Sequence, residues 1–388
     1  MKYIRFILKS LTRSKRRTLL ILSTITLSVF LVTVLQSLLT TLDAVSNNPT
    51  SSNRLVVRHK SGLTQMLPMS YLPYLKAQPE VESATYLQWF GGQYKDPSNF
   101  FANFASDETT LFQVFKEEFG AFGVTEDQIQ DYVRDGSGCI VGRALADKFG
   151  WKLGDVIPLQ GTIFPISPRL TIRLIFKGTK PSQENVLHFH YKLLEESVPR
   201  MKGRVGTFFL RVHNAEEIPR LSARIDNHYG NSAFETLSET ENAFNLSFVK
   251  MLGNISAIIQ GITAAVLVAI LIVTVGTMSI AIRERTTEIA VLRAMGFRTG
   301  LVMSLLLGEG MLLVGAGGIF GVGLAGLAAG GIRKGVGSSV PFLEDFSLRP
   351  STMLLCLGIT FVVGLVSTFI PAYQATRRPI TEGLRSIG

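Results

Sequence analysis

The chain has 388 residues, a formal net charge of +10, 46% hydrophobic residues and two cysteines. In a soluble protein this charge would favour nucleic-acid binding, but here the excess lies in three short segments, residues 1–17, 283–298 and 374–388, while residues 43–250 are nearly neutral. This distribution argues against a nucleic-acid partner. It is typical of the cytoplasmic segments of a membrane protein.

The first part of the chain is basic and then uncharged. Basic and apolar residues alternate at helical spacing within residues 1–17, which predicts a cytoplasmic amphipathic helix at the membrane interface. Residues 18–42 contain no charged residue, and a bilayer crossing takes about 20 apolar residues. The run is longer than the apolar core of a cleaved signal peptide, so we expect a retained first transmembrane helix.

Residues 43–250 have the composition of a soluble domain. Short apolar runs separated by turn residues predict strands and helices in succession. The clearest are Arg143 to Phe149 (helix), Leu170 to Phe176 (strand), Thr207 to Val212 (strand) and Ala215 to Tyr229 (helix). We expect a large α+β extracytoplasmic domain of two lobes, in which residues from about 105 to 200 are inserted into a lobe made from both flanks.

No residue pattern in this domain predicts catalysis or a metal site. Cys139 lies here and Cys356 in a later apolar segment, so we expect no disulfide between them. His188 and His190 share one face of a predicted strand, but no third ligand is apparent, and we predict no bound metal. Five aromatic residues are predicted to pack in the core rather than to line a groove: Trp89, Phe90, Phe100, Phe101 and Phe104.

Three more apolar segments follow the domain. The predicted segments are, in order, helix two at 251–282, a connecting helix at 283–298, helix three at 299–332, a short extracytoplasmic loop at 333–350, helix four at 351–375 and a cytoplasmic tail at 376–388. The positive-inside rule places both termini and the connecting helix in the cytoplasm. Helix two would be about 48 Å long against a hydrocarbon core of about 30 Å, so it either projects outward as a lever or tilts.

The third predicted span is rich in glycine and holds one charged residue, Glu309. A G-x-G-x-x-G pattern begins at Gly321, but a dinucleotide site requires a preceding strand and a helix start that is open to solvent. Inside an apolar span we expect glycines to let helices approach closely. Two pairs have the GxxxG spacing: Gly317 with Gly321, and Gly326 with Gly330.

Residues 283–298 combine charged and apolar positions at helical spacing. Glu284 and Glu288 are one turn apart, and Gly296 is placed to end the helix. The apolar positions form a stripe of Ile289, Leu292 and Met295. Because the charges are mixed, the segment suits a protein groove better than an anionic membrane surface, and we predict a short cytoplasmic helix that docks on a partner.

These membrane segments carry a family resemblance. The run from Arg283 to Gly296, followed by Glu309 and the glycine-rich helix, resembles the signature of the FtsX-like permease family of ABC transporters, which includes MacB and LolC/LolE types. The end of the chain is similar to the same family at Pro371, Ala372, Ala375, Arg377, Pro379, Ile380, Leu384 and Arg385. The chain departs from the pattern at Ala290, where the family often has glycine, and most of the outer domain carries no motif that identifies a subfamily.

The resemblance implies a four-helix permease that works as a homodimer or heterodimer with two separate ABC ATPase subunits. Its outer domain would have a Porter-like and a Sabre-like lobe, and its second span would act as a lever. ATP would bind to the ATPase subunits. We expect this chain itself to bind no cofactor, since its sequence contains no G-x-x-x-x-G-K-[ST] motif. The residues expected to contact the ATPase are Glu284, Arg285, Glu288, Leu292, Arg293 and Met295, with Gly296 ending the helix. Glu309 is expected either to anchor the third span or to snorkel to the interface.

Several functions remain compatible with this sequence. The leading hypothesis is a permease of the bacterial inner membrane that exports or extracts a hydrophobic or amphipathic substrate (lipoprotein, lipid, peptide or drug), with a periplasmic adaptor as a further candidate partner. A second is a signalling module that transmits an ATPase cycle to an extracytoplasmic enzyme such as a cell-wall hydrolase. A third is a structural receptor without an ATPase. The sequence leaves the substrate open, because no motif identifies it.

Overall fold

The computed structural model describes residues 15–46, 52–97, 99, 101–119, 124–179, 181–251, 255–335 and 345–377. The chain divides into two compact units. A membrane unit contains residues 1–41, 254–332 and 346–388, and a domain unit contains residues 42–253 and 333–345. Most of the predicted N-terminal amphipathic helix and cytoplasmic tail, together with Phe100, lies outside the described residues.

The first helix, α1, is Lys15–Ser46. Its segment Thr18–Ala44 is long and apolar enough to cross a membrane, and it includes the span predicted at 18–42. Hydroxyl groups inside the helix bond to the preceding turn, as when Thr33 Oγ1 donates to the Val29 carbonyl at 2.7 Å. Such bonds let a polar side chain sit in an apolar helix without an unsatisfied donor.

Eleven strands are described in the domain unit. They are β1 (Arg54–His59), β2 (Leu67–Pro68), β3 (Val81–Trp89), β4 (Ala102–Ser106), β5 (Gly138–Gly142), β6 (Val156–Pro158), β7 (Arg169–Phe176), β8 (Val186–His190), β9 (Arg204–Val205), β10 (Thr207–Val212) and β11 (Thr236–Thr240). Nine of them form one sheet in the order β11-β1-β10-β3-β4-β8-β5-β7-β6, and β2 pairs with β9. The β4–β8 and β5–β7 pairs are parallel, and the other pairs in the sheet are antiparallel.

The strand order shows how the piece predicted to be inserted relates to its flanks. Strands β11, β1, β10 and β3 come from the two flanks of the domain sequence and fill one half of the sheet. The other half consists of strands between residues 102 and 190. An antiparallel pairing of β3 with β4, in which Leu87 lies opposite Ser106, joins the halves. The inserted piece therefore continues the same sheet, a relation that strand patterns alone do not show.

Eight α-helices are described beside the sheet. They are α2 (Leu72–Lys76), α3 (Leu111–Val114), α4 (Lys116–Phe119), α5 (Glu126–Arg134), α6 (Arg143–Phe149), α7 (Tyr191–Ser197), α8 (Ile218–Tyr229) and α9 (Glu241–Met251). Local chemistry sets their ends. A capping box between Thr125 and Gln128 begins α5, and Gly150, with φ of 69°, ends α6.

The sheet buries apolar side chains on both faces. Cys139 and Val141 belong to one apolar cluster, and Ile140 belongs to the other, as expected when successive strand residues point to opposite faces. A bulge opposite Cys139 and Ile140 adds Arg173 to β7. It moves the later residues of that strand, such as Leu174, to the second cluster. The result is a domain core in two layers.

The membrane unit continues with four helices. They are α10 (Ile255–Arg283), α11 (Thr286–Ala294), α12 (Thr299–Gly335) and α13 (Pro350–Arg377). With α1, the helices α10, α12 and α13 make four candidate membrane spans, and the predicted fold class of four spans with an α+β domain between the first two is confirmed. The three residues between α9 and α10, 252–254, lie outside the described part, so the predicted continuous lever stays a prediction.

Glycines mark the closest helix contacts in this unit. A Cβ atom added to Gly321 would lie 2.7 Å from the Thr26 carbonyl of α1, and one added to Gly317 would lie 2.6 Å from Ile25 Cγ2. Among the described residues, no atom lies within 4 Å of the corresponding positions at Gly326 and Gly330. Two glycines not singled out in the sequence make similar contacts between α12 and α13: Gly310 with Thr368, and Gly364 with Val314.

Candidate functional site

The short helix α11 lies between the second and third spans and contains three of the predicted partner-binding residues, Glu288, Leu292 and Arg293; the others lie directly before or after it. Its C-terminal end is a Schellman motif, in which Phe297 N donates to the Leu292 carbonyl at 3.2 Å and Gly296 N donates to the Arg293 carbonyl at 3.1 Å. Gly296 has φ of 92°, a conformation that favours glycine. The helix therefore stops sharply before α12 begins at Thr299.

The inner face of α11 packs on its own chain. Ile289 and Ala290 are each 5% exposed. Ile289 belongs to an apolar cluster with Ile282 of α10, Val302 of α12 and Ala372 of α13. Apolar contacts with three spans fix the position of this short helix more firmly than its own nine residues could, because isolated helices of this length are unstable.

Leu292, predicted to contact a partner, also lies against this inner cluster and is partly buried. The outer face carries Glu288 and Val291, with Met295 directly after the helix end, at spacings of three and four residues, while Glu284 is exposed in the turn before α11. Such spacings place side chains on one side of a helix. Met295 is 63% exposed and Val291 is 40% exposed. An apolar strip flanked by carboxylates thus faces away from the bundle.

An ion pair holds the N-terminal end of α11. Arg285 Nη1 donates to Glu309 Oε2 of α12 at 2.7 Å, and each side chain is 16% exposed. The N-cap residue, Arg285, makes no side-chain capping bond to this helix end, and its ion pair is a polar attachment to the third span. A small cavity beside the pair is lined by Thr18, Ile21, Met278, Ala281, Ile282, Leu306 and Leu313. Pairing offsets the cost of a carboxylate in a membrane-spanning helix.

His188 and His190 are both buried in the domain unit. His188 is 7% exposed and stacks on Phe104, with ring centroids 5.6 Å apart. Burial lowers the pKa of His188 to about 3. His190 Nε2 bonds the Tyr132 carbonyl at 2.9 Å. Among the described residues, no three His, Cys, Asp or Glu side chains are grouped so as to hold a metal ion.

The predicted aromatic cluster is divided between core and partly covered positions. Phe90 and Phe101 are 0% exposed, and Trp89 and Phe104 are half-buried and pack edge to face with centroids 5.1 Å apart. These four residues therefore pack in the domain, as predicted.

Sequence reasoning missed two features of α11. It did not single out Val291, although the three-four spacing from Glu288 to Met295 indicates it. It also did not connect Arg285 with Glu309, which are 24 residues apart. No local pattern could have made that connection, because the pair depends on how α11 folds back against α12.

Two family models match the chain. The model for the MacB-like periplasmic core domain matches residues 18–228, and the model for the FtsX-like permease C-terminal domain matches residues 261–380. These matches cover the domain and the second to fourth spans, and they place the chain among permeases of the ABC transporter class. The chain belongs to the FtsX-like permease family and carries a MacB-like periplasmic core domain.

Curated relatives agree with this assignment. An uncharacterized ABC transporter permease of Methanocaldococcus jannaschii is 23% identical over 76% of this chain and 74% of its own length. The macrolide export ATP-binding/permease protein MacB of Marinobacter nauticus is 32% identical over 40% of this chain, but the match spans only 21% of that protein. An uncharacterized ABC transporter permease of Bacillus subtilis is 25% identical over half of each chain.

Solved structures with some likeness cover the domain. The extracellular domain of the transporter YknZ from Gram-positive bacteria has a TM-score of 0.36 and 13% identity, over 48% of this chain and 100% of that one. The periplasmic region of MacB from Actinobacillus actinomycetemcomitans has a TM-score of 0.36 and 12% identity, over 52% of this chain and 93% of that one.

Proposed function

We propose that this chain is the permease subunit of an ABC transporter whose ATPase is a separate polypeptide that docks on α11. The observation that carries the proposal is the two-sided construction of this helix. Its inner face is fixed to three spans through Ile289, and its outer face presents a strip of apolar and acidic side chains. A helix so held transmits a push from a partner directly to the spans.

The proposed contact residues differ in part from those expected from the sequence. Glu288, Val291 and Met295 lie on the outer face and, together with the exposed Glu284 just before α11, form the docking strip, with Arg293 half-buried at its side. Arg285 and Leu292 instead hold α11 in place, through Glu309 and through the inner apolar cluster. Exposed apolar residues ringed by charges are typical of specific protein interfaces.

The proposal extends to topology and cargo. The connecting helix α11 and both termini face the cytoplasm of a bacterial cell, because these three segments carry the excess basic residues and basic segments stay on the cytoplasmic side. The α+β domain lies outside the inner membrane. Two permease copies act with two ATPase subunits, which bind the ATP. Closure of the ATPases moves the outer domains and expels or extracts a hydrophobic or amphipathic substrate, and the relative MacB is named for macrolide export.

Affinity purification of the full chain in mild detergent, followed by mass spectrometry and an ATPase assay, tests this function. We expect an ABC ATPase to co-purify with the native chain. We expect Glu288→Arg to lose it, because the substitution reverses a charge at the centre of the docking strip. Arg349→Glu is the matched control: it reverses an exposed charge just before α13 and should retain the ATPase.

Two outcomes would count against the proposal. Recovery of no ATPase with the native chain removes the transporter function, and equal recovery with Glu288→Arg removes α11 as the docking site. Recovery of an extracytoplasmic hydrolase with the ATPase but no co-purified lipid or lipoprotein would favour the signalling alternative.

A further inference from the structure

A buried arginine lies at the start of the domain sheet. Arg54 is the first residue of β1, and its side chain is 1% exposed. Its Nη1 donates to Glu118 Oε2 at 2.9 Å and its Nη2 to Glu118 Oε1 at 2.5 Å, while Nε donates to Glu241. Burial disfavours its charge, but Glu241 and Glu118 outweigh this and raise the pKa of Arg54. The three nitrogens of one guanidinium group thus bind carboxylates from two separate segments of the chain.

A second arginine lies beside it. Arg211 on β10 is opposite Arg54 in the strand register, and it binds Glu117 and Glu82. Together with Lys116, which donates to Glu82 at 2.9 Å, these residues link several elements. The segments joined are β1, β3, β10, α4 and α9. Because Arg211 satisfies Glu117, the carboxylates of Glu118 and Glu241 depend chiefly on Arg54.

The partner Glu241 is the first residue of α9, the helix that leads toward the second span. Phe244, one turn later, is 9% exposed and packs edge to face on Phe209, with centroids 6.1 Å apart. The described side chains from Asn245 to Ser247 are only half-buried. Among the side chains that the structure describes in α9, the most buried contacts with the sheet are therefore in its first turn.

We propose that Arg54 is a positioning residue that fixes the first turn of α9 to β1 and α4, so that α9 and the sheet move together. The inference rests on the proposed function in one respect: motion must reach α9 through α10. Loss of the Glu241 charge leaves Arg54 bound to Glu118, so the sheet keeps that ion pair while α9 loses its charged side-chain anchor. The helix stays joined to β11 at Thr240, whose Oγ1 accepts from Ala243 N at 3.2 Å. Its apolar anchor, Phe244, fixes position but not direction, since apolar contacts are not directional.

Hydrogen exchange of the full chain in lipid nanodiscs, without the ATPase, tests the anchor. Glu241→Gln keeps the shape of the side chain and removes its charge. We expect exchange of the amides of residues 242–251 to become faster by about tenfold, because a charge-assisted bond at the helix start is weakened. Exchange in β1, β3 and β10 should remain within about twofold of the native rate.

Arg58→Met is the matched control. Arg58 lies four residues further along β1, and its Nε donates to Glu239 Oε1 of β11 at 2.8 Å. This variant also removes an arginine ion pair from β1, but that pair does not include α9, so exchange in residues 242–251 should stay native. Native exchange there in Glu241→Gln, equal acceleration in Arg58→Met, or acceleration throughout the sheet would each overturn the proposal.

A second measurement separates this inference from the proposed function. With the ATPase present, Glu241→Gln should keep nucleotide hydrolysis and lose substrate movement, because the ATPase still docks on α11 while α9 no longer carries the sheet. Retained substrate movement would overturn the role of Arg54 in coupling. Absence of any ATPase would remove the proposed function alone, since the exchange result does not depend on it.

Discussion

The domain unit and the membrane unit bury different kinds of side chain. The domain unit fills its core with large aromatic residues, and Phe90, Phe101 and Phe208 are each 0% exposed. The membrane unit brings its helices together at glycines, as where Gly321 meets α1. In water, removing apolar surface from the solvent stabilises the folded domain. In lipid, helices associate instead through the close packing that small residues allow. The solvent around each unit therefore decides which residues hold it.

Both units nevertheless use an arginine to hold the start of a short helix. Arg54 holds α9 and is 1% exposed, whereas Arg285 holds α11 and is 16% exposed. Arg54 binds the carboxylates of Glu118 and Glu241, and Arg285 binds that of Glu309. The cost of removing an ion-pair partner rises with burial, because the charge left behind loses both its partner and its water. The two sites should therefore respond very differently to substitution.

The largest effect is expected at the deeper site. Arg54→Met leaves Glu118 and Glu241 buried without their cation, and we expect the free energy of unfolding of the domain to fall by about 3–5 kcal/mol. Denaturant unfolding of the full chain in detergent, followed through the domain tryptophans Trp89 and Trp151, measures it. Arg58→Met, at a less buried pair, should cost about 1 kcal/mol or less. Similar losses of unfolding free energy in the two variants would show that the burial of an ion pair does not set its cost.

A smaller effect is expected where the membrane unit packs by glycine. Gly321→Ala places a methyl group 2.7 Å from the Thr26 carbonyl, and we expect it to destabilise the bundle by about 1–3 kcal/mol by forcing α1 and α12 apart. Gly326→Ala, with open space around it, should gain up to about 1 kcal/mol from helix propensity. The melting temperature of each variant in detergent checks this. A loss at Gly326 equal to that at Gly321 would indicate that Gly326 packs on a second copy.

The sequence could predict those helices and strands whose ends are set by neighbouring residues. The helix expected at Arg143 to Phe149 and the strand expected at Thr207 to Val212 have those bounds in the structure, where glycines border the helix at both ends and the strand at its start. The sequence could not predict that the inserted piece continues the sheet, since strand pairing depends on distant segments. The same holds for Arg54 with Glu241, which are 187 residues apart. For α11, the pattern predicted the helix, but its inner and outer faces depend on three other helices.

Acid should destabilise the domain through His188. Burial holds its pKa at about 3 in the folded domain, against the usual 6.5, so between these values the unfolded chain binds the proton and the folded domain does not. Stability therefore falls as pH drops, by about 2 kcal/mol between pH 7 and pH 5. Unfolding of the native chain and His188→Phe at both pH values measures it as a difference, in which other titrating groups cancel. Equal pH dependence of the two proteins would show that His188 is not held neutral.

The smallest effect is expected at Arg285 and Glu309, and it tests whether α11 is held by charge at all. Because both side chains retain some exposure, the coupling energy of the pair should be about 1 kcal/mol in a double-mutant cycle of Arg285→Gln, Glu309→Gln and the combined variant. Hydrogen exchange of the α11 amides measures it, with Ile289→Ala as the comparison that removes the apolar attachment.

The effects of the charge variants and of Ile289→Ala together show whether the ion pair or the apolar cluster holds α11. Ile289→Ala opens a cavity against three spans and should accelerate α11 exchange more than either charge variant, since deletion of a buried Ile side chain costs about 2–5 kcal/mol. If the ion pair contributes as much as Ile289, Arg285 responds to substitution like the more deeply buried Arg54. The difference in exposure between the two arginines then does not predict the cost of removing them. A coupling energy near zero would instead leave the apolar cluster alone to hold α11, and the ion pair would serve only to neutralise Glu309 within the third span.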